Sequence, residues 1–396
     1  MISAAEIRAL RGEWSLDVHV IEKDYVLGWL LAGIAGHHGL KNWIFKGGTC
    51  LRKCYFETYR FSEDLDFTVI DEPDEPDQLL PIFQEIAETI YDSCGLRLLA
   101  NETSFRRRKN RRGKPTTEGK IAFIGPMGSP SVPKVKLDVT TDELVARPTV
   151  VRPAFHAYAD APEQTDAGVG IVARVRSYSL VELMAEKLRA LTERCRPRDL
   201  YDVIHTHRHP GLLGQAREVS IALAEKCDFA GIEVPTLETV RATPFRAEIE
   251  AEWANMLAHQ LPELPAFDGF WETLEDLFGW LSGAVPMPHL EPATDSTVSG
   301  EWKAPRTMTS WRTGAPLELI RFAGANRLKV EIDYRAERGR RGSRLVEPYS
   351  LRRSHDGDLL LFVLNDHHQL RSYRVDRIVG VNVTRQSFAP KFVVEF

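Results

Sequence analysis

The chain has few cysteines and no long hydrophobic run, and both shortages narrow what it can be. Its five cysteines are scattered and form no C-x-x-C pair. An odd number at such spacings predicts free thiols in a reducing cytoplasm rather than a disulfide framework. No run of about 18 apolar residues is present, so no membrane-spanning helix is predicted. The N-terminus also lacks the basic-then-apolar pattern of an export signal.

An excess of positive charge is missing as well. The chain has 51 Lys and Arg against 56 Asp and Glu, which gives a net charge of −5. Any nucleic-acid contact must therefore come from a local basic patch. What is present is a globular composition, with 43% apolar residues in a chain of 396. That length predicts two or three domains with a sizeable buried core.

The most informative stretch is a glycine turn followed by two alternating aspartates. The turn Gly47-Gly48-Thr49 follows a short apolar strand, 43–45, and leads into a helical pattern. Glycines leave backbone N–H groups open, which favours a phosphate-binding nest at a helix start. Asp64 and Asp66 alternate on a predicted strand and so project from one face. Because paired carboxylates repel, a divalent cation is the usual reason to place them together.

Two motifs in this order carry a resemblance to a known family. K-G-G-T-C-L-R-K followed by R-F-S-E-D-L-D-F resembles the nucleotidyltransferases of the DNA polymerase beta superfamily. More narrowly, the pair looks like the AbiEii/AbiGii-type toxins of type IV toxin–antitoxin systems, which include the MenT toxins. Further along, L-M-A-E-K-L-R-A-L and R-P-R-D-L-Y-D-V look like the third and fourth motifs of that group. The resemblance implies an α/β (α+β) fold with a polymerase-beta-like sheet and a helical C-lobe.

The resemblance also assigns roles to acidic and basic residues. Asp64, Asp66 and Asp138 would hold two Mg²⁺ ions, with Asp138 on the alternating strand 134–140. Lys187 would contact the triphosphate of an NTP, and Asp202 would be the fourth-motif catalytic acid. An edge-strand aspartate at 138 and a structural Lys187–Asp202 ion pair remain the alternatives. An ion pair and a phosphate contact can both hold, because a pair in the empty site can open to receive phosphate.

Lys187 lies on the apolar stripe of the clearest predicted helix, 179–194. Ser179 is predicted to cap this helix, with Glu182 completing a capping box. A lysine on an inward stripe needs an anionic partner, since a lone buried ammonium would lose its charge.

Several polar residues around the turn have two interpretations each. Lys46 and Arg52 could meet a phosphate or be ordinary strand-end and helix residues. By resemblance, Ser62 is a phosphorylation point through which a kinase-like antitoxin silences the site, and the alternative is a turn or cap serine. Phosphate at Ser62 would add negative charge beside the carboxylates. The predicted nucleotide-binding set is Lys46, Gly47, Gly48, Thr49, Arg52, Ser62 and Asp199.

A basic segment is the strongest candidate for nucleic-acid contact. Residues 106–114 carry seven positive charges in nine positions, between two predicted strands. Such a hairpin tip can grip a nucleic-acid backbone, and the alternative is a solvated loop. The predicted contacts are Arg106, Arg107, Arg108, Lys109, Arg111 and Arg112. By contrast, the alternating His205, His207 and His209 lack the further ligand that would complete a zinc set.

The C-terminal part changes to strand periodicity after a linker rich in Pro, Ser, Thr and Gly. The predicted domains are a catalytic lobe (1–176), a helical lobe completing the active site (177–283), a linker (284–310) and a barrel (311–396). V-E-P-Y-S-L and R-S-Y-R-V-D-R-I resemble a WYL domain, a small SH3-like β-barrel, although plain apolar residues replace the Trp-Tyr-Leu triplet. Arg371 and Arg377 share a side-chain parity opposite to Arg374. The predicted ligand residues are Tyr334, Arg371, Arg374 and Arg377.

Together these patterns predict a Mg²⁺-dependent nucleotidyltransferase toxin. It would transfer NMP from an NTP to an acceptor hydroxyl, by resemblance the 3′ end of tRNA, and cause growth arrest in toxin–antitoxin or phage-defence systems. A cognate antitoxin is the implied partner, and a nucleotide or nucleic acid is a possible ligand of the barrel. The alternative is a nucleotide- or nucleic-acid-sensing regulator without transferase activity. In a third interpretation, the barrel controls the activity of the transferase.

Overall fold

The fold begins with two helices. A computed structural model describes the chain except residues 57, 71, 111, 166–168, 243, 286–289, 299–301, 303–315 and 337–338. Helix α1 (Ala4–Trp14) is capped by Ser3, and the predicted capping box with Glu6 is present. Helix α2 (Val18–Gly36) is buried on almost all sides, as its largely apolar sequence requires. None of the described helices is both long and apolar enough to cross a bilayer.

A mixed nine-stranded sheet forms the centre of the N-terminal part. Its strands are β1 (Ile44–Lys46), β2 (Asp64–Thr68), β3 (Arg97–Leu98), β4 (Ser104–Lys109), β5 (Pro115–Ile124), β6 (Lys134–Thr140), β7 (Val150–Phe155), β8 (Glu163–Gln164) and β9 (Gly170–Ser177). The order is β3-β5-β6-β2-β1-β9-β7, with β4 added to β5 and β8 to β9. Strands β2 and β6 run parallel, which confirms the prediction that Asp138 lies beside the aspartate strand. Strands β7 and β8 had no clear sequence signal.

Helices flank the sheet and extend beyond it. After β1 come helix α3 (Gly47–Cys50) and one π-helical turn, Leu51–Tyr55. Helix α4 (Pro76–Cys94) packs on α2. The predicted helical region is confirmed, and its helices are α5 (Leu180–Arg194), α6 (Pro197–His207), α7 (Ala216–Ala230), α8 (Leu237–Arg241), α9 (Phe245–Leu257), α10 (Phe267–Glu272) and α11 (Leu274–Leu281). Helices α5 and α6 pack against each other, and both contribute to the candidate site.

The C-terminal part is a helix and a separate antiparallel sheet. Helix α12 (Leu317–Ala325) leads into β10 (Leu328–Arg335), β11 (Arg341–Arg353), β12 (Leu359–Asn365), β13 (Leu370–Arg374) and β14 (Ile378–Ser387). Within the described residues, the predicted barrel is a sheet of order β13-β12-β11-β10-β14, whose end strands do not pair with each other. Much of the predicted linker lies outside the described residues, so the domain boundaries stay a prediction.

The two parts share a buried core rather than meeting at a thin contact. Leu317, Ile320 and Phe322 of α12 belong to the same hydrophobic cluster as the helices and sheet of the N-terminal part. Tyr201 of α6 donates a hydrogen bond to the side-chain oxygen of Asn326 at 2.9 Å. The end of α12, just before the C-terminal sheet, is therefore linked directly to the helix that carries Asp202.

Candidate active site

A row of charged residues crosses the sheet in register. Arg106 of β4 is paired with Glu118 of β5, Glu118 with Asp138 of β6, Asp138 with Asp66 of β2, and Asp66 with Lys46 of β1. Residues opposite one another on neighbouring strands project from the same face. The predicted carboxylates at 66 and 138 are therefore neighbours on paired strands, as the family resemblance implied.

The carboxylates at the centre of this row repel one another. Burial, followed by the negative charges of Asp138 and Asp64, raises the pKa of Asp66 to about 7. Burial also raises the pKa of Asp64. Asp138 has one cation, since the Lys136 amine lies 2.6 Å from its Oδ2. No salt bridge to Asp64 or Asp66 exists among the described residues. Two like charges are thus kept close together, and their repulsion lowers the stability of the fold.

The two glycines of the turn explain how this row can approach α3. Gly47 has φ +79°, and a Cβ there would lie 2.2 Å from Oδ2 of Asp66. A Cβ at Gly48 would lie 2.6 Å from a terminal nitrogen of Arg60 and 3.1 Å from Oγ of Ser62. A Cβ at either position would displace Asp66 or Arg60, and the positive φ of Gly47 adds backbone strain there for any other residue.

A second acidic group lies on α6 and is fully paired. Asp202 accepts from Arg60 through both oxygens, at 2.7 and 2.8 Å, and from the Tyr59 hydroxyl at 2.5 Å. The Lys187 amine lies 2.7 Å from Asp202 Oδ2, so the predicted ion pair is present. Burial alone would raise the pKa of Asp202, but the charges of Arg60 and Lys187 hold it well below its ordinary value. A carboxylate held in this way is a weak proton acceptor.

Lys187 connects the two acidic groups. Its amine also lies 4.0 Å from Asp199, and its charge acts to lower the pKa of Asp66. Only 7% of the residue is exposed. A buried ammonium between the paired Asp202 and the repelling strand carboxylates has the position that an anionic phosphate would require.

A chain of this composition and geometry can be compared with known proteins. The family model "Nucleotidyl transferase AbiEii toxin, Type IV TA system" matches residues 29–276, which is more than half of the chain. The chain belongs to the AbiEii nucleotidyltransferase toxin family. A WYL domain model matches residues 316–383. The AbiEii match includes the helices between 213 and 276, for which the sequence motifs gave no account.

Solved structures give weaker likenesses. MenT4, a nucleotidyltransferase toxin from Mycobacterium tuberculosis, is similar at 18% identity with a TM-score of 0.49, over 71% of this chain and 90% of MenT4. Proteasome accessory factor B/C (PafBC) of Arthrobacter aurescens is 13% identical with a TM-score of 0.18, over 94% of this chain and 73% of that chain. No curated protein matches the chain.

Within the AbiEii domain, some residues that were predicted to contact the nucleotide make structural contacts with other residues instead. Arg52 donates to Asp24 at 2.7 Å and stacks on Phe61 with its guanidinium carbon 3.4 Å from the ring centre. It packs the π-helical turn against α2, so its position does not support the predicted phosphate contact. The Thr49 hydroxyl donates to the backbone carbonyl of Asp64 and ties α3 to β2.

Asp199 and Lys46, which were also predicted to contact the nucleotide, each have ionic partners elsewhere in the fold. Asp199 accepts from Arg194 at 2.6 Å, which gives it a structural partner at the end of α5. Lys46 is neither solvated nor alone, because its amine lies 3.8 Å from both Glu143 and Glu186. Lys46 nevertheless acts to lower the pKa of Asp66, its cross-strand neighbour.

The capping box predicted at the start of α5 is wrong, although its serine cap is present. Ser179 does cap α5, by accepting from the backbone N–H of Glu182. Glu182 does not complete the box, because its carboxylate accepts instead from the backbone N–H groups of Ala146 and Arg147 and pairs with Lys226 at 2.7 Å.

The AbiEii domain offers ligands for Mg²⁺ but no complete metal cage. Among the described residues, no group of three or more His, Cys, Asp or Glu could hold a metal by itself, and this includes the three histidines near the end of α6. Mg²⁺ in such enzymes takes one or two carboxylates, with substrate phosphates and waters as the remaining ligands. The repelling carboxylates of Asp66 and Asp64, with Asp138 beside them, fit that kind of site.

The basic segment forms the hairpin β4–β5, and only part of it is free for a ligand. Arg107 is bound to Asp74 at 2.6 Å and Glu75 at 2.8 Å, and Arg112 lies 2.8 Å from Asp142. Arg106, Arg108 and Lys109 are exposed. Arg111 lies outside the described residues.

Sequence reasoning missed three residues of the site. Arg60 begins the R-F-S-E-D-L-D-F motif and Tyr59 precedes it, but nothing in the sequence marks Asp202 as their partner, so only the fold reveals this contact. Glu118 lies between Arg106 and Asp138 in the row, 3.9 Å from Lys136. Its alternation with Thr116 and Lys120 on a strand beside the acidic strand was the available signal.

The predicted ligand residues of the WYL domain do not share one strand. Arg374 ends β13 and binds Asp358 at 2.5 Å and Asp376 at 2.8 Å. Arg377 lies in a 3-10 turn, Val375–Arg377, so the strand parity predicted for it does not apply. Arg371 is exposed on β13 and donates to Gln369. Tyr334 packs edge-on against Tyr373 with ring centres 4.9 Å apart. Their role as ligand contacts stays a prediction.

Proposed function

We propose that the protein is a Mg²⁺-dependent nucleotidyltransferase toxin that transfers NMP from an NTP to an acceptor hydroxyl, at the 3′ end of a tRNA, and releases pyrophosphate. One observation carries this proposal. Asp64, Asp66 and Asp138 share one face of the sheet without enough positive charge to neutralise them, and Lys187 lies beside them. Such an arrangement costs stability unless a cation and an anion bind there together.

The residues divide the reaction between them. Asp64, Asp66 and Asp138 would hold Mg²⁺, which lowers the pKa of an attacking hydroxyl and neutralises the developing charge on the phosphates. The Lys187 amine, released from Asp202, donates to a phosphate oxygen of the NTP. Backbone N–H groups at the start of α3 bind another phosphate. Asp138, less buried than Asp66, would take the acceptor proton, whereas Asp202 would orient Lys187.

The same face of the sheet supplies a path for an RNA acceptor. Arg106 lies in the row with Glu118, and Arg108 and Lys120 are the adjacent same-face residues on β4 and β5. The side chains of Arg108 and Lys120 are each 54% exposed, 3.9 Å from Glu118. Exposed cations leading to the carboxylates can bind a phosphate backbone and bring its 3′ end to the site. This path supports an RNA acceptor rather than a protein.

Control by an antitoxin in the cytoplasm completes the proposal. All five cysteines are free thiols, which suits a reducing compartment. Ser62 lies near Gly48 and two residues before Asp64. A phosphate on Ser62 would meet Asp64 and compete with the NTP, so phosphorylation there would inhibit the enzyme. Growth arrest in phage defence is the biological outcome that we propose.

Incubation of the purified protein with total RNA, Mg²⁺ and each labelled NTP tests this reaction. We expect label on tRNA-sized RNA with the wild type and none with Asp64→Ala. Charge reversal at Lys120 (Lys120→Glu) should weaken RNA labelling severalfold, whereas Lys41→Glu, an exposed change before β1, should not. Label on protein would contradict the RNA acceptor. No transfer to either class would favour the alternative, a sensing regulator without transferase activity.

A further inference from the structure

A large cavity lies where the AbiEii domain, α1 and the WYL domain meet. Its volume is about 520 Å³, within the range of small-molecule sites. Its walls come from α1, the segment before β2, the loop after β7, and α12. Asp64, Asp66 and Asp138 do not line it, so it is separate from the candidate active site.

Aromatic rings form much of the wall. Trp14 lies 5.7 Å from Phe61 and 5.9 Å from Tyr158 between ring centres, so three rings from different segments border one space. Phe322 of α12 closes the wall from the WYL domain. Aromatic faces carry partial negative charge and attract cations as well as flat apolar groups.

The charge of the lining is negative. Glu6, Glu13 and Glu318 contribute three carboxylates against one cation of the wall, although Glu318 is paired with Arg321 at 2.9 Å. Among the described residues, Arg52 is the one lysine or arginine of the wall, and it is paired at 2.7 Å with Asp24, which it shares with Lys53. Burial lowers the pKa of His156, so that side chain is neutral near pH 7. A phosphate would be repelled from this cavity, whereas a cation would be attracted.

Two polar side-chain atoms of wall residues, the Thr58 hydroxyl and Nδ1 of His156, have no hydrogen-bond partner among the described residues. The Thr58 hydroxyl is buried, the residue being 9% exposed, and makes no hydrogen bond with the described residues. A buried hydroxyl without a hydrogen-bond partner lowers the stability of the fold. A ligand with an N–H group would satisfy it, which is a second sign that the cavity is built for an occupant.

We propose that this cavity binds a small organic cation with a flat, apolar body and N–H donors. Tyr59 connects the cavity with the active site, because it lines the cavity and its hydroxyl donates to Asp202 at 2.5 Å. Arg52 donates to the backbone carbonyl of Tyr59 at 3.0 Å. An occupant that displaces Tyr59 therefore changes the position of Asp202 and, through it, of Lys187. The WYL domain takes part because α12 supplies one wall.

Proflavine, a planar fluorescent diamine cation, is a suitable probe for the full chain. We expect saturable one-to-one binding that Ala9→Trp weakens at least tenfold, because exposed Ala9 lines the cavity and an indole there would fill its space. Ala5→Trp, an exposed alanine of the same helix outside the cavity, is the control and should bind like the wild type. No saturable binding to the wild type, or equal weakening by both variants, would overturn the proposal.

The charge preference is tested separately. Glu6→Gln keeps an N3 residue that supports the α1 capping box but removes one negative charge, so proflavine should bind about threefold to tenfold more weakly. Anthracene-9-carboxylate has the same three-ring size and a negative charge, and it should not compete. Tighter binding of the anion than of proflavine would refute the assignment to cations.

The coupling to Asp202 rests on the transferase activity proposed above, whereas the binding measurements need no NTP and no RNA. Proflavine should change the rate of nucleotidyl transfer in the wild type and in Ala5→Trp, and leave it unchanged in Ala9→Trp. The Ala9→Trp reaction also reports any effect of proflavine on the RNA. A protein that binds proflavine but shows an unaltered rate would retain the site and refute the coupling. Absence of transfer in every sample would refute the proposed function alone.

Discussion

The strand carboxylates and the α6 carboxylate have the same chemistry in opposite surroundings. Asp66 lies among Asp64 and Asp138, and burial with like-charge repulsion raises its pKa to about 7. Asp202 is held by Arg60, Lys187 and the Tyr59 hydroxyl, and its pKa lies well below the ordinary value. Asp24, buried between Arg52 and Lys53, repeats the second arrangement.

This difference separates groups that stabilise the fold from groups kept for a ligand. A buried carboxylate with two cations contributes to a network that collapses if one member is removed. A buried carboxylate beside other carboxylates does the reverse, because removing it relieves repulsion. The strand aspartates should therefore be important for activity and expendable for folding, and Asp202 should be important for both.

The largest effect is expected for Asp66→Asn. Loss of a metal-binding carboxylate should lower RNA labelling about a thousandfold, which corresponds to about 4 kcal/mol. Thermal unfolding without Mg²⁺ should occur at the same temperature as in the wild type or higher. Asp92→Asn, on the exposed surface of α4, is the control and should change neither property. A folded, fully active Asp66→Asn protein would contradict the proposed site.

Asp202→Asn should show the opposite balance between folding and activity. Two buried cations, Arg60 and Lys187, would lose their partner, and such losses cost about 3–5 kcal/mol of unfolding free energy. Urea unfolding of the variant measures that cost. The matched control is Asp199→Asn on the same helix, whose partner Arg194 is 38% exposed and can be solvated, so its cost should be smaller. If the two variants lose the same unfolding free energy, Asp202 is no more important for folding than Asp199.

Gly47→Ala tests how closely α3 approaches Asp66. A Cβ at Gly47 would meet Asp66 Oδ2 at 2.2 Å in addition to the strain of φ +79°. We expect a loss of about 2–3 kcal/mol, of which the backbone strain supplies about 1 kcal/mol. Gly95→Ala isolates the strain, because Gly95 has φ +78° with no atom within 4 Å. If the two variants lose the same stability, the contact with Asp66 is not tight.

Sequence patterns were enough to predict the first of the two groups compared here, the strand carboxylates. The alternation of Asp64 and Asp66 placed two carboxylates on one strand face, and the family resemblance added Asp138 on the alternating strand 134–140. Helical spacing likewise placed Lys187 on the inward stripe of α5. These elements are local patterns, and local patterns are readable without the fold.

The other half of the comparison depends on contacts across long distances in the chain. Arg60 binds Asp202, which is 142 positions away, and nothing in the segment 56–62 marks that partner. Arg52 has the charge and the motif position expected of a phosphate ligand, but in the fold it donates a hydrogen bond to Asp24 of α2. Glu182 has the spacing of a capping box, yet Lys226 and two backbone N–H groups compete for it successfully. Charge pairing of this kind is decided by tertiary packing.

The smallest expected effect is the pH dependence of the strand carboxylates. The folded pKa of Asp66, about 7, lies above the ordinary 3.8, so the folded state binds the proton more tightly. The contribution of Asp66 to stability therefore falls as pH rises from about 4 to 7. Asp202 changes stability only when pH falls below its ordinary pKa, outside this range.

Thermal unfolding of the wild type and Asp66→Asn at pH 5 and pH 8, without Mg²⁺, measures this contribution. The variant should gain stability over the wild type by roughly 2 kcal/mol between the two pH values, because each pH unit below the folded pKa changes stability by about 1.4 kcal/mol. Burial lowers the pKa of His205 and His207, which therefore act in the opposite direction over the same range. Both proteins contain these histidines, so their effect cancels in the difference. A difference that is constant with pH would mean that Asp66 is not repelled by its neighbours.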